Sequence, residues 1–189
     1  MVKYFIDAGA HDGCSVRRFR EEHDPNCEYF IYSFEADPYF EYKFDNIENH
    51  VFLGYAVWID EGSQDFYRSH AWLQDGGTLV KEKKSGKLDK DSPISVKTVD
   101  FSKWVENILS PEDYIILKMD IEGAEYKVLP KMIEDGTIDF INELWIEWHW
   151  KKIGLSKAKH NELVNKISIP IKEWCALQWC GLRKRERNG

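Results

Sequence analysis

The first fifteen residues constrain the fold of this chain more than any other stretch. Residues 4–6, Tyr-Phe-Ile, form a short apolar run with high β propensity, as expected for a strand that is covered on both faces. A turn with glycines at positions 9 and 13 follows, and residues 15–19 then have the spacing of a first helical turn. A strand, a glycine turn and a helix in this order predict an α/β fold, in which ligands bind at the carboxyl ends of the strands.

Composition is that of an ordinary globular protein. Of the 189 residues, 43% are hydrophobic and 31% are charged, so we expect a single domain spanning residues 1–189. The net charge of −7 argues against a nucleic-acid partner, because such binding depends on neutralising phosphates. No run approaches about 18 apolar residues and no signal-like segment precedes the first strand, so we expect no membrane span and a cytoplasmic location. The four cysteines lack a Cys-x-x-Cys spacing, and reduced thiols are expected.

The rest of the chain alternates predicted strands with predicted helices. The strands are expected at 29–35, 51–59, 64–69, 94–99, 114–119, 141–149 and 169–182. Helices are expected at 13–23, 101–109 and 157–167; a further helix begins at residue 38, and another ends at residue 136. This alternation implies a mainly parallel sheet with right-handed crossovers. Residues 70–92 interrupt it, and we predict a long mobile loop that forms a lid or contacts substrate, with a loop of no function as the alternative.

Acidic residues near the first turn indicate the charge of the ligand. Asp7 ends the first strand, and the loop after it carries His11 and Asp12. The spacing Asp-x-Gly-x-x-x-Gly differs from the dinucleotide fingerprint, and a carboxylate repels a nearby phosphate by a few kcal/mol at an effective dielectric of about 20. S-adenosylmethionine, which carries a sulfonium and an ammonium and no phosphate, therefore suits this loop better than NAD. Glu35 ends the next strand, where a Rossmann-type acidic residue accepts ribose hydroxyls.

A second group of polar residues ends the later strands. Because the carboxyl ends of parallel strands share one edge, we expect Asp120 and the end of strand 141–149 to lie near the glycine loop. Alternation along that strand places Glu147 and His149 on one side. Asp120, Glu147 and His149 can hold a divalent ion such as magnesium or manganese, or can include a general base for a substrate hydroxyl. In the structural alternative, Asp120 caps a helix and His149 is a hydrogen-bonded histidine; Glu125 is expected to be a solvated first-turn carboxylate.

Four motifs occur in a fixed order along residues 3–150. They are Phe-Ile-Asp-Ala-Gly-Ala-His-Asp-Gly at 5–13, Ser-Phe-Glu-Ala-Asp-Pro at 33–38, Lys-Thr-Val-Asp at 97–100 and Leu-Lys-Met-Asp-Ile-Glu-Gly-Ala-Glu-Tyr at 117–126. Together they resemble the FkbM family of S-adenosylmethionine-dependent methyltransferases, and the last motif is the most specific. The resemblance implies a Rossmann-like class I methyltransferase fold, with a mainly parallel doubly wound sheet and a closing antiparallel strand.

The resemblance also implies roles for individual residues. By position, the cofactor-binding residues are Asp7, Gly9, His11 and Gly13 in the loop, Glu35 at the ribose, and Ala36, Asp37, Ala56 and Val57 around the adenine. Asp120 stands where related sugar O-methyltransferases place a metal ligand or catalytic acid. The implied function is O-methylation of a hydroxyl on a carbohydrate acceptor, a sugar or glycan. An NAD-dependent dehydrogenase and a non-catalytic glycan-binding module are the alternatives.

Overall fold

The computed structural model describes residues 1–70 and 76–174. Its larger sheet has six strands, and every pairing in it is parallel. In spatial order the strands are β3 (His50–Leu53), β2 (Tyr29–Phe34), β1 (Lys3–Ala8), β7 (Tyr114–Met119), β8 (Glu143–Ile146) and β9 (Ile171–Glu173). The predicted α/β class is confirmed. The strand order reverses between β1 and β7, so the edge above these two strands is the expected place for a ligand.

Helices cover both faces of this sheet. They are α1 (Cys14–Glu22), α2 (Phe101–Ile108), α3 (Glu125–Glu134) and α4 (Lys157–Val164), with 3₁₀ helices at Pro38–Phe44 and Thr137–Phe140. Alternation along β1 sends Phe5 into a cluster with Phe19 of α1, and Ile6 into a cluster with Val105 of α2 and Leu129 of α3. The short apolar run at the start of the chain is therefore a strand buried on both faces, as predicted.

A second, three-stranded sheet flanks the first. It contains β4 (Ala56–Trp58), β6 (Ile94–Asp100) and β5 (Gly62–Phe66), in that order. The single strand predicted at 51–59 is therefore wrong: Gly54 and Tyr55 interrupt it, and its two halves join different sheets. Within residues 1–70 and 76–174, no helix combines the length and the apolar composition needed to cross a bilayer.

The last strands also differ from the prediction. No closing antiparallel strand occurs among the described residues, because β9 pairs with β8 in parallel; residues 175–182 of the predicted closing segment lie outside the described residues. The predicted strand at 141–149 ends at Ile146. Beyond it the Glu147 N–H still donates to the Met119 carbonyl at 3.1 Å, whereas the His149 N–H donates to the Glu125 carboxylate at 2.8 Å. Glu147 and His149 thus lie in the segment that follows the strand.

Of the loop predicted at 70–92, residues 71–75 lie outside the described residues, and residues 76–92 are packed against the rest of the chain. Tyr67 and Thr78 form an isolated bridge, as do Ser69 and Leu88. Lys83 in this segment is only 1% exposed. The segment has no helix or named strand, as predicted, but it is built into the wall of the site described next.

Candidate functional site

A cavity of about 710 Å³ lies at the carboxyl ends of β1, β2 and β7. This size is typical of a small-molecule site. Nine of the predicted site residues line it: Gly9, His11, Glu35, Ala36, Asp37, Ala56, Val57, Asp120 and Glu147. Three others, Asp7, Gly13 and His149, are not part of the lining. The predicted convergence of the two groups of polar residues at one edge of the sheet is present in the structure.

Gly9 is required by the packing of the loop onto β7. Its φ is 83°, and a Cβ there would lie 2.0 Å from the carbonyl oxygen of Asp120. The two segments are also joined by a hydrogen bond of 3.0 Å from the Asp120 N–H to the Ala8 carbonyl. The glycine therefore allows the loop to approach the residue that follows β7, which brings Asp120 next to the loop.

Asp7 is fully buried and belongs to a buried ion pair. Its carboxylate accepts a hydrogen bond from the Ser15 hydroxyl, and Lys118 Nζ lies 2.9 Å from Asp7 Oδ1. The same ammonium donates to the Gly9 carbonyl at 2.7 Å. Burial alone would lower the pKa of Lys118, but Asp7 and Asp120 raise it above its usual value, so the lysine stays cationic. The charge of Asp7 is thus balanced within the fold by Lys118.

Glu35 connects the glycine loop to the start of the next segment. Its two carboxylate oxygens accept the backbone N–H groups of His11 at 2.8 Å and Asp37 at 2.7 Å. Burial raises the pKa of Glu35, although these two bonds oppose the shift. Each carboxylate oxygen can accept more than one hydrogen bond, so Glu35 can also accept from hydroxyls in the cavity.

Arg68 holds Asp37 in a two-point ion pair. The Arg68 Nε lies 2.8 Å from Asp37 Oδ2, and its Nη2 lies 2.5 Å from Oδ1. Asp12, within the loop, lies 3.8 Å from the Arg17 guanidinium (Oδ2 to Nη2), and a hydrogen bond from the His11 imidazole is the main cause that lowers the pKa of Asp12 to about 2. A carboxylate that stays ionised therefore lines the cavity beside the loop.

His149 is held at the other end of the cavity by Glu125. Its Nδ1 lies 3.0 Å from Glu125 Oε1, and its backbone N–H donates to the same oxygen at 2.8 Å. Glu125 is fully buried and also accepts the Gly123 N–H, so the expectation that Glu125 is solvated is wrong. The helix dipole favours it, but its main contact is the histidine.

Three further carboxylates surround the other nitrogen of His149. His149 Nε2 lies 3.6 Å from Asp120 Oδ1, 3.4 Å from Glu122 Oε2 and 3.6 Å from Glu147 Oε1. This nitrogen is buried, and no described residue forms a hydrogen bond with it. We call His149, Asp120, Glu122 and Glu147 the acid–histidine cluster. Sequence reasoning predicted three of its members and missed Glu122.

The charges in the cluster shift one another. Burial raises the pKa of Asp120 to about 6, against the opposing effect of Lys118. Burial alone would lower the pKa of His149, but Glu125 and Glu147 raise it to about 10, so the metal-free histidine is protonated. Two lysines contact Glu122: Lys83 Nζ at 2.7 Å and Lys152 Nζ at 3.1 Å.

The residues of the cluster fit a divalent ion. One ligand atom each from Asp120, Glu122 and His149 lies within 4.8 Å of the others. A carboxylate that holds Nδ1 while Nε2 is left open is the usual support for a metal-binding histidine. Glu147, which was predicted as a ligand, is more exposed than Glu122 and lies beside this set. A bound ion needs neutral His149, so the metal-bound and protonated states exclude each other.

Cys14 lines the cavity and is disulfide-bonded. The expectation of reduced thiols is therefore wrong at this residue, whereas Cys27 is a free thiol. Spacing in the sequence did not reveal the bond, because a disulfide depends on distance in space and not on separation along the chain.

Comparison with known proteins identifies the family. A family model described as the methyltransferase FkbM domain matches residues 7–169. No curated protein and no solved structure gives a match. The matched span covers most of the chain and includes the glycine loop, Glu35 and the acid–histidine cluster, and the chain therefore belongs to the FkbM methyltransferase family.

Proposed function

We propose that this chain is an S-adenosylmethionine-dependent O-methyltransferase that acts on a hydroxyl group of a sugar or glycan. Membership of the FkbM family supports methyl transfer in general. One observation carries the finer proposal: a single cavity joins Glu35 and the glycine loop to Asp120 and Glu122. A methyl donor and a hydroxyl acceptor need such a shared space, because the reacting atoms must be held close and in line.

The residues near the loop fit the proposed donor. Glu35 can accept the ribose hydroxyls, and Ala36, Ala56 and Val57 offer small apolar surfaces to an adenine ring. S-adenosylmethionine supplies an electrophilic methyl group on a positively charged sulfur. The preference for this charge rests on Asp12, which stays ionised and has only a longer, partly exposed contact of 3.8 Å with Arg17, and not on Asp7, which Lys118 neutralises at 2.9 Å.

The proposed reaction is an in-line displacement. The acceptor oxygen forms a bond to the methyl carbon, the carbon–sulfur bond breaks, and its electron pair stays on sulfur. The hydroxyl proton passes to the Asp120 carboxylate, which lines the cavity beside the loop. Glu125 orients His149 behind Asp120 and fixes the cluster. A divalent ion held by Asp120, Glu122 and His149 would lower the pKa of the acceptor hydroxyl.

Substitution of Asp120 tests this proposal. We expect Asp120→Asn to abolish methyl transfer from labelled S-adenosylmethionine to a glycan panel, while calorimetry shows nearly unchanged binding of S-adenosylhomocysteine. The matched control is Asp135→Asn, which removes a partly exposed carboxylate outside the cavity. If Asp120→Asn is as active as the wild type, Asp120 does not take the proton.

Chelation tests the metal separately. If the ion contributes, EDTA lowers the rate and added magnesium or manganese restores it; an unchanged rate removes the ion from the mechanism. The dehydrogenase alternative is not favoured, because the family is one of methyltransferases and an ionised Asp12 in the loop would repel a diphosphate bound beside it. A glycan-binding module without activity would bind the acceptor and transfer no methyl group.

A further inference from the structure

Residues 85–87, Ser-Gly-Lys, form a turn in the wall of the cavity that we call the Ser85–Lys87 turn. Its carbonyls are bound from the segment after β5: the Ser69 hydroxyl donates to the Gly86 carbonyl at 2.6 Å, and the His70 N–H donates to the Lys87 carbonyl at 3.1 Å. The hydrogen-bond donors of the turn, in contrast, have no acceptor among the described residues. Among the described residues, none accepts from the N–H groups of the turn or bonds the buried Ser85 hydroxyl.

Positive charge is concentrated at this turn. Residues 81–90 contain five lysines and two acidic residues, in a chain whose net charge is −7. The Lys87 side chain is exposed at the cavity, and no carboxylate in the described part of the chain pairs with it. The buried Lys83 ammonium lies beneath the turn, 3.3 Å from where a Cβ on Gly86 would stand. Unpaired donors beside ammonium groups are the usual surroundings of a bound anion.

The turn belongs to the acceptor end of the cavity. Lys83 pairs with Glu122 of the acid–histidine cluster, and the Lys84 N–H donates to the Lys152 carbonyl at 2.8 Å. These contacts tie the turn to the residues proposed to receive the acceptor hydroxyl. Glu35, the proposed ribose ligand, instead bonds the loop after β1.

We propose that the acceptor carries an anionic group, a phosphate or a carboxylate, and that the Ser85–Lys87 turn binds it. This inference rests on the proposed O-methyltransferase function. A buried donor without an acceptor is costly, and an anion would satisfy several of these donors at once. Each hydrogen bond to a charged group contributes more than one to a neutral hydroxyl, so a neutral sugar would bind less tightly.

Kinetics on three matched acceptors test the proposal. We would compare kcat/KM for glucose, glucuronate and glucose 1-phosphate with labelled S-adenosylmethionine. The wild type should prefer one or both charged sugars over glucose by about tenfold or more, and the better of the two identifies the anion. Lys87→Ala and Ser85→Ala should remove this preference. Lys84→Ala is the control, since it removes an exposed lysine that does not line the cavity, and it should keep the preference.

Two results would overturn the proposal. One is equal use of the three sugars by the wild type; the other is a Lys87→Ala variant in which the KM for S-adenosylmethionine rises while the acceptor preference is kept, which would assign the turn to the cofactor. If none of the three sugars is methylated, the proposed function fails. The anion site at the turn is then tested by a binding measurement that does not depend on activity. Inorganic phosphate should then shift the amide resonances of residues 85–87 in the wild type and not in Lys87→Ala, and an unshifted wild-type spectrum rejects the anion site.

Discussion

Replacement of Gly9 by alanine tests how the glycine loop is joined to β7. The alanine Cβ would lie 2.0 Å from the Asp120 carbonyl oxygen, and that backbone cannot retreat without breaking the 3.0 Å hydrogen bond to Ala8. A left-handed alanine costs about 1–2 kcal/mol and the overlap about 1–3 kcal/mol more, so Gly9→Ala should lower the free energy of unfolding by about 2–5 kcal/mol. That loss is a large fraction of the stability of a typical domain.

Gly136→Ala separates the two parts of this cost. Gly136 has a φ of 77°, close to the 83° of Gly9, but a Cβ there would meet nothing within 4 Å. Gly136→Ala should therefore lower the free energy of unfolding only by the cost of a left-handed alanine, about 1–2 kcal/mol. Urea unfolding followed by tryptophan fluorescence measures both variants. If Gly9→Ala loses no more than Gly136→Ala, the close approach of the loop to the Asp120 backbone is not the reason for the glycine.

Three other predictions concern titratable side chains that the fold buries wholly or in part. Lys118→Met leaves Asp7 buried without its cation and should lower the free energy of unfolding in urea by about 3–5 kcal/mol. Replacing both Lys118 and Asp7 by apolar residues should lower it less, and a double variant that is no more stable than Lys118→Met contradicts this. Burial lowers the pKa of His50 from 6.5 to about 4, so stability is at its full value above pH 6.5 and falls as the pH drops towards 4. His50→Gln should flatten that part of the unfolding profile, and an unchanged slope would assign it to other groups. Glu125→Ala should lower the rate of methyl transfer about 10–100-fold, because His149 loses the carboxylate that orients it. Binding of S-adenosylhomocysteine should be kept, and Glu125→Gln should restore part of the rate. Full activity in Glu125→Ala would refute this prediction.

Local patterns predicted the parts of the site that depend on neighbours in sequence. The β1 strand, the glycine turn and α1 follow from apolar runs and glycine positions within the first fifteen residues. Glu35 and Asp120 follow from the rule that parallel strands end at one edge of the sheet. Both residues line the cavity, as that rule requires.

Pairings between distant residues could not be predicted in this way. Lys118 lies 111 positions from Asp7, and the pair forms only because β1 and β7 are adjacent in the sheet. The same holds for Arg68 with Asp37 and for Glu125 with His149. The sequence therefore identified the acidic residues correctly but not the net charge of the cavity. It does not show which carboxylates are neutralised by a lysine or arginine that is distant in the chain.

Calorimetry with S-adenosylhomocysteine and NAD tests the central claim most directly. If Glu35 and the glycine loop form a site for the methyl donor, S-adenosylhomocysteine binds the wild-type chain, binding weakens about tenfold in Glu35→Gln through the loss of a charged acceptor, and NAD gives no heat. Binding of NAD, with no response to S-adenosylhomocysteine, would contradict the account.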